Sequence, residues 1–173
     1  GDAVRAALGA LTEGAREVLV VCGDTPLLTA ANLLDVARAR RAASAPIAVG
    51  AFRAPDPTGY GRVECTTDGR ALRITEERDA SDAVREIDLV NAGLYAVDRS
   101  WLEAQLPALA ASTATGEVYL TDLVEAAARE GTPAALAIGG VELEGVNDRR
   151  QFATAAAALR DRINAAHLEA GVH

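Results

Sequence analysis

Two spacings of apolar residues alternate along the 173-residue chain, and each change of spacing marks an element. Residues 2–12 carry the helical spacing, with Asp2 placed to cap it. Glu17-Val18-Leu19-Val20-Val21-Cys22 is a continuous apolar run closed by Gly23-Asp24, the pattern of a strand buried on both faces of a parallel sheet. Helical spacing returns over 29–43 through Leu33, Leu34, Val36 and Ala37, and 47–52 reads as the next strand. This opening is β-α-β and predicts a right-handed crossover. Pro55 to Gly61 is loop by composition, and Asp68-Gly69 between 62–66 and 71–75 is a hairpin signal. Residues 78–86 are polar and predict a loop or short helix, and 87–97 a long strand interrupted by Asn91-Ala92-Gly93. Helices are predicted over 99–110 and 119–130, a strand over 134–138, and one long helix over 148–170. The class is α/β: a mostly parallel sheet with a β-hairpin excursion over one end.

Composition narrows what such a domain can do. Half of the residues are hydrophobic but only 3% aromatic, so alanine-rich helices should pack closely on a sheet of Val, Leu and Ile. The formal net charge is −8, and the basic cluster Arg38, Arg40 and Arg41 lies on a helix as a solvated face. A nucleic-acid partner is therefore not expected, and a small phosphorylated ligand held through a metal ion or a few well-placed cations is. Cys22 and Cys65 form no metal-binding spacing, and His167 and His173 sit near the C-terminus, away from both. No apolar run approaches the length of a membrane span and no signal peptide is visible, which makes the cytoplasm the default compartment. The chain has no methionine and starts at Gly1, so it is expected to be either processed or a fragment.

Ligands of open α/β sheets bind at the carboxyl ends of the strands. Five features fall there: Cys22-Gly23-Asp24, Gly61 after Tyr60, Glu76 at the end of the second hairpin strand, Asn91 within its strand, and Asn147 before the last helix. Each also has a purely structural reading. Asp24 could cap the next helix, Gly61 could serve only a turn, Glu76 could be a solvated strand-end charge, and Asn147 could be an N-cap. Asn91 is harder to explain so, because an amide in an apolar strand must find partners.

Taken in order, GDTPL at 23–27, DPTGYGR at 56–62, ITEERDA at 74–80, VNAGLY at 90–95, GEVYLTD at 116–122 and EGVNDR at 144–149 resemble the bifunctional N-acetylglucosamine-1-phosphate uridyltransferases. The resemblance covers essentially the whole chain. It implies a Rossmann-like nucleotide-diphospho-sugar transferase fold, with a partial uridyltransferase domain over 1–150 and a helix over 151–173 leading toward a left-handed β-helix that carries the acetyltransferase. It implies a cytoplasmic enzyme of peptidoglycan precursor synthesis that joins UTP and N-acetylglucosamine-1-phosphate into UDP-N-acetylglucosamine and pyrophosphate. Carried over by position, Asp24 and Asn147 become ligands of a catalytic Mg2+; Gly61, Glu76 and Asn91 become contacts to the sugar, with Tyr119 and Thr121 beside them. Cys22 and Gly23 fall near the nucleotide, Gly23 allowing close backbone packing.

The family's opening strand, glycine-rich loop and following lysine have no counterpart in these residues, and the family's homotrimer is built through its β-helix. An isolated chain of this extent is thus expected to be inactive and to be unstable or self-associating through an unpaired strand edge. A nucleotidyltransferase for another sugar-1-phosphate and a non-catalytic nucleotide-sugar-binding scaffold are the alternatives. A glycosyltransferase ranks last, since Asp24 is followed by Thr25-Pro26 rather than by a DxD pattern.

Overall fold

The computed structural model describes residues 1–111 and 116–172, so His173 lies outside the described residues. In chain order the elements are α1 (Asp2–Ala7), β1 (Glu17–Val21), α2 (Ala30–Ala42), β2 (Ile47–Arg53), β3 (Arg62–Cys65), β4 (Ala71–Thr75), α3 (Asp82–Arg85), β5 (Leu89–Asp98), α4 (Arg99–Gln105), α5 (Asp122–Arg129), β6 (Ala135–Ile138) and α6 (Arg149–Glu169). A six-stranded sheet runs in the order β4-β3-β5-β2-β6, with β1 also paired to β5.

Strand direction departs from the expected mostly parallel sheet. Among the described pairings only β2–β6 is parallel; β5 runs antiparallel to β1, β2 and β3, and β3 to β4. The cause is local. The hairpin sits at the end where β2 finishes, so β5 starts opposite that end, Leu89 facing Arg53, and can only run back. A parallel placement would need a crossover carrying the chain to the opposite end first. The β-α-β unit changes accordingly: β1 and β2 flank β5 and do not pair.

Apolar side chains on both sheet faces form two cores. Ile47, Val49, Val63, Tyr95 and Val97 pack with α4 and α5 through Leu102, Leu123 and Val124, whereas Ala48, Phe52, Val90 and Ala96 pack under α2 through Val36 and Ala37. This double covering explains why β2 is buried at every position but its last. β1, by contrast, is not buried on both faces: Val18 and Val20 face the first core, while Leu19 and Val21 are 42% and 43% exposed. It lies at the edge of the sheet, where no helix among the described residues covers its outer face.

The starts of α2 and α6 follow the capping rules, whereas α1 and α5 have no side-chain cap. The α1 cap is Gly1 and Asp2 lies in the first turn, where its carboxylate accepts from Arg5 at 3.0 Å. Thr29 and Asn32 form a reciprocal capping box on α2, as Asp148 and Gln151 do on α6. The helix expected over 119–130 begins only at Asp122, leaving Tyr119 and Thr121 in the turn before it. No described helix is long and apolar enough to cross a membrane.

Candidate functional site

The two caps on α2 and α6 free the two metal-ligand candidates from structural duty. Asp24 does not cap α2, because Thr29 does, and Asn147 does not cap α6, because Asp148 does. The loops that carry them are stitched together: Val146 N–H donates to the Asp24 carbonyl at 2.8 Å. Their side chains converge at Gly145, where an added β-carbon would stand 3.8 Å from Asp24 Oδ2 and 3.9 Å from Asn147 Nδ2. A half-turn of the Asn147 amide would present its oxygen to the same spot, since that terminal torsion is nearly two-fold. A carboxylate and an amide carbonyl are the hard oxygen donors that Mg2+ takes in small number, the rest of its shell being water and phosphate oxygens. The residues present therefore fit such an ion.

The sugar-side candidates Glu76 and Asn91 gather around Gly61. Glu76 is half-buried rather than solvated; its Oε1 accepts from the Thr121 hydroxyl at 3.1 Å. Burial pushes its carboxyl above the usual range, and the nearby Asp122 and Asp79 charges push the same way, against the Thr121 hydrogen bond. Gly61 packs against it: an added β-carbon would lie 2.9 Å from Ile74 Cγ2 and 3.4 Å from Glu76 Oε2, so a side chain here would displace the strand or the carboxylate. Gly61 thus does more than permit a turn. Glu76, Asp79, Tyr119, Thr121 and Asp122 line one open cavity of about 400 Å3.

Asn91 finds the partners its burial demands. Its Nδ2 donates to the Tyr95 hydroxyl at 2.7 Å, its Oδ1 accepts from Gly93 N–H at 3.0 Å, and its own N–H donates to the Gly61 carbonyl at 2.9 Å. The expected interruption of this strand is a register shift opposite Gly50 and Ala51, with Gly93 at φ 68°. Only glycine suits that point, for an added β-carbon would also meet Cys22 Sγ at 2.4 Å. Cys22 therefore sits against Gly93, its thiol raised by burial and by the Asp24 charge. Nothing lies within 4 Å of an added β-carbon at Gly23, so packing within the described chain does not call for a glycine there.

Three residues that the sequence showed only as parts of its loops and motifs, with no role of their own, belong to the candidate site. Tyr95 is buried, which pushes its phenol well above the usual value, and it orients Asn91; its position four residues along the same strand was the available signal. Tyr60 packs edge-on to Phe52 at 5.4 Å between ring centres, and its hydroxyl lies near the Gly145 backbone, which brings the loop before Gly61 close to the loop that carries Asn147. Gly145 itself leaves the space into which Asp24 and Asn147 point.

Comparisons with known proteins bear on the family and the fold. Residues 1–140 match the nucleotidyl transferase family model. The chain is 42% identical over 174 residues to the bifunctional protein GlmU of Trichlorobacter lovleyi, covering 99% of this chain and 38% of that protein. It is 44% identical to GlmU of Anaeromyxobacter dehalogenans, covering 98% and 35%. The chain thus spans little more than a third of the length of these relatives. Among solved structures, a protein described as a glucose-1-phosphate thymidylyltransferase from Bacillus anthracis, in complex with a sucrose, superposes with a TM-score of 0.65 at 17% identity, over 92% of this chain and 60% of that one. A CMP:2-keto-3-deoxy-manno-octonic acid synthetase complexed with CTP superposes with a TM-score of 0.63 at 14% identity, over 93% and 68%. The fold is that of the nucleotide-diphospho-sugar transferases, and the chain belongs to the nucleotidyl transferase family.

Proposed function

We propose that these residues form the sugar-phosphate and metal side of a site that transfers a uridylyl group from UTP to N-acetylglucosamine-1-phosphate, releasing pyrophosphate. The observation that carries this reading is the meeting at Gly145 of Asp24 and Asn147, which stand 123 positions apart in sequence. The 42–44% identity to GlmU proteins supports the choice of sugar and nucleotide over other members of the family.

In this reaction a phosphate oxygen of the sugar phosphate attacks the α-phosphorus of UTP, one P–O bond forms, and the bond to the departing pyrophosphate breaks. Asp24 and Asn147 would hold Mg2+, which when bound neutralises phosphate charge. The rest of the work described here is positioning. Glu76 can accept from sugar hydroxyls, Asn91 is held with its amide fixed by Tyr95 and Gly93, and Gly61 allows close approach of the backbone. No general base is required, since the attacking oxygen is already ionised at neutral pH.

The test is pyrophosphate release by the gene product that contains this chain, supplied with UTP, Mg2+ and N-acetylglucosamine-1-phosphate. Asp24→Asn is expected to lower kcat at least about 100-fold while the melting temperature stays within a few degrees. Equal turnover of glucose-1-phosphate would move the assignment to another sugar. Ligand binding without turnover would favour the scaffold reading.

A further inference from the structure

Arg62 is the most conspicuous charged group outside this reading. It is 2% exposed, among the largest fully buried side chains, and a buried cation is tolerated only when its donors are matched. Its guanidinium reaches three segments. Nη1 donates to the Tyr60 carbonyl, Nε donates to the Arg85 carbonyl at 3.4 Å, and Nη2 lies 2.7 Å from Glu77 Oε2. That carboxylate oxygen is itself buried and receives no well-aligned hydrogen bond, so the Arg62 charge is what compensates it. Two of the three partners adjoin sugar-side residues in sequence: Tyr60 precedes Gly61, and Glu77 follows Glu76.

We propose that Arg62 is a positioning residue for the sugar-phosphate wall, its buried guanidinium fixing the Tyr60–Gly61 backbone against the Glu76–Glu77 strand end. This rests on the reading above only in naming the sugar phosphate as what the wall contacts. The clearance it maintains is small, since an added β-carbon at Gly61 would already stand 3.4 Å from Glu76 Oε2. The same segment presents the Gly61 carbonyl to Asn91 N–H at 2.9 Å, so a slip at Arg62 reaches all three sugar-side residues together. An ammonium group keeps the charge of Arg62 but lacks the planar fork that meets three partners at once, which makes lysine the informative replacement.

Two variants test this, Arg62→Lys and Glu77→Gln; the second alters a side chain still 31% exposed and so should fold even where the first does not. In the gene product that contains this chain, Arg62→Lys is expected to raise KM for N-acetylglucosamine-1-phosphate about 10-fold and Glu77→Gln about 3-fold, with kcat and the KM for UTP within about 2-fold. Hydrogen exchange on the chain itself is the readout independent of turnover: the Asn91 amide should exchange about 10-fold faster in either variant while amides of β2 and the later half of β5 keep their protection. A fall in kcat at unchanged KM, or faster exchange spread evenly through the sheet with a lower melting temperature, would overturn the proposal by reducing Arg62 to a stability role. Unchanged exchange at Asn91 would overturn it too. If the wild-type gene product turns over no sugar phosphate, the functional reading fails, and Asn91 exchange still decides whether Arg62 positions the wall.

Discussion

Glu76 is held where its charge costs stability. Burial raises its pKa, Asp122 and Asp79 raise it further, and the Thr121 hydroxyl alone favours the ionised form. The folded state therefore binds the Glu76 proton more tightly than the unfolded chain does. Stability falls as pH rises from the ordinary glutamate value through the raised folded value, and the penalty is complete above it. Glu76→Gln keeps an oxygen for the Thr121 hydroxyl and removes the charge. It should be more stable than the parent at neutral pH, with the difference vanishing below about pH 4, where both states of Glu76 are protonated. Urea denaturation across that range measures it, and identical curves at every pH would return Glu76 to a solvated strand-end charge. The same substitution should weaken sugar-phosphate binding, because the acceptor that costs stability is the one the sugar hydroxyls would use.

At the scale of elements, α6 does more than close the chain. Its capping box extends one residue outward: Gln151 Oε1 accepts from Asp148 N–H at 3.2 Å and from Asn147 N–H at 2.6 Å, while Asp148 accepts from Gln151 N–H at 2.7 Å. The cap thus also sets the backbone of the residue that faces Asp24. Asp148→Ala should cost about 1 kcal/mol in urea denaturation. It should also raise the Mg2+ concentration needed for half-maximal activity, whereas Thr154→Ala, on the same helix but outside the box, should leave that requirement unchanged. The extent of α6 was legible in the sequence from its alanine-rich run, but its cap was not: the sequence offered Asn147, and the structure uses Asp148 with Gln151. Asn91 was legible as a candidate because an amide in an apolar strand draws attention, whereas Asp24 and Asn147 stood out only as loop residues at strand ends and were paired by the family resemblance alone. The direction of β5 was not legible, because it depends on which end of β2 the hairpin occupies. Nor was the part played by Tyr60 and Arg62, whose partners Gly145, Arg85 and Glu77 come near only when the loops close.

At the scale of the whole molecule, β1 is the least settled part of the sheet. Its side chains are as apolar as those of β2, yet the fold gives it one neighbouring strand where β2 has two. Its start is well secured: Glu17 accepts from Arg40 Nε at 2.6 Å and also pairs with Arg41, fixing the strand against α2. Beyond that anchor, no described strand pairs with its outer edge, and Leu19 and Val21 stand exposed beside it. Unpaired backbone donors and acceptors along an apolar edge are a template for another strand, and a second copy supplies one at high concentration. The 173-residue chain should therefore self-associate, its weight-average mass in sedimentation rising between about 1 and 100 µM. Leu19→Lys puts a charge on the exposed face without opening the core, so it should cut that association while changing stability by no more than about 0.5 kcal/mol. Val20→Lys makes the contrast, because Val20 packs against the first core and a charge there should cost several-fold more. A wild-type chain that stays monomeric throughout the range would mean that the β1 edge is already protected, by its own twist or by shielding from the loop at 22–29, and that an apolar outer strand here is tolerated rather than awaiting a partner.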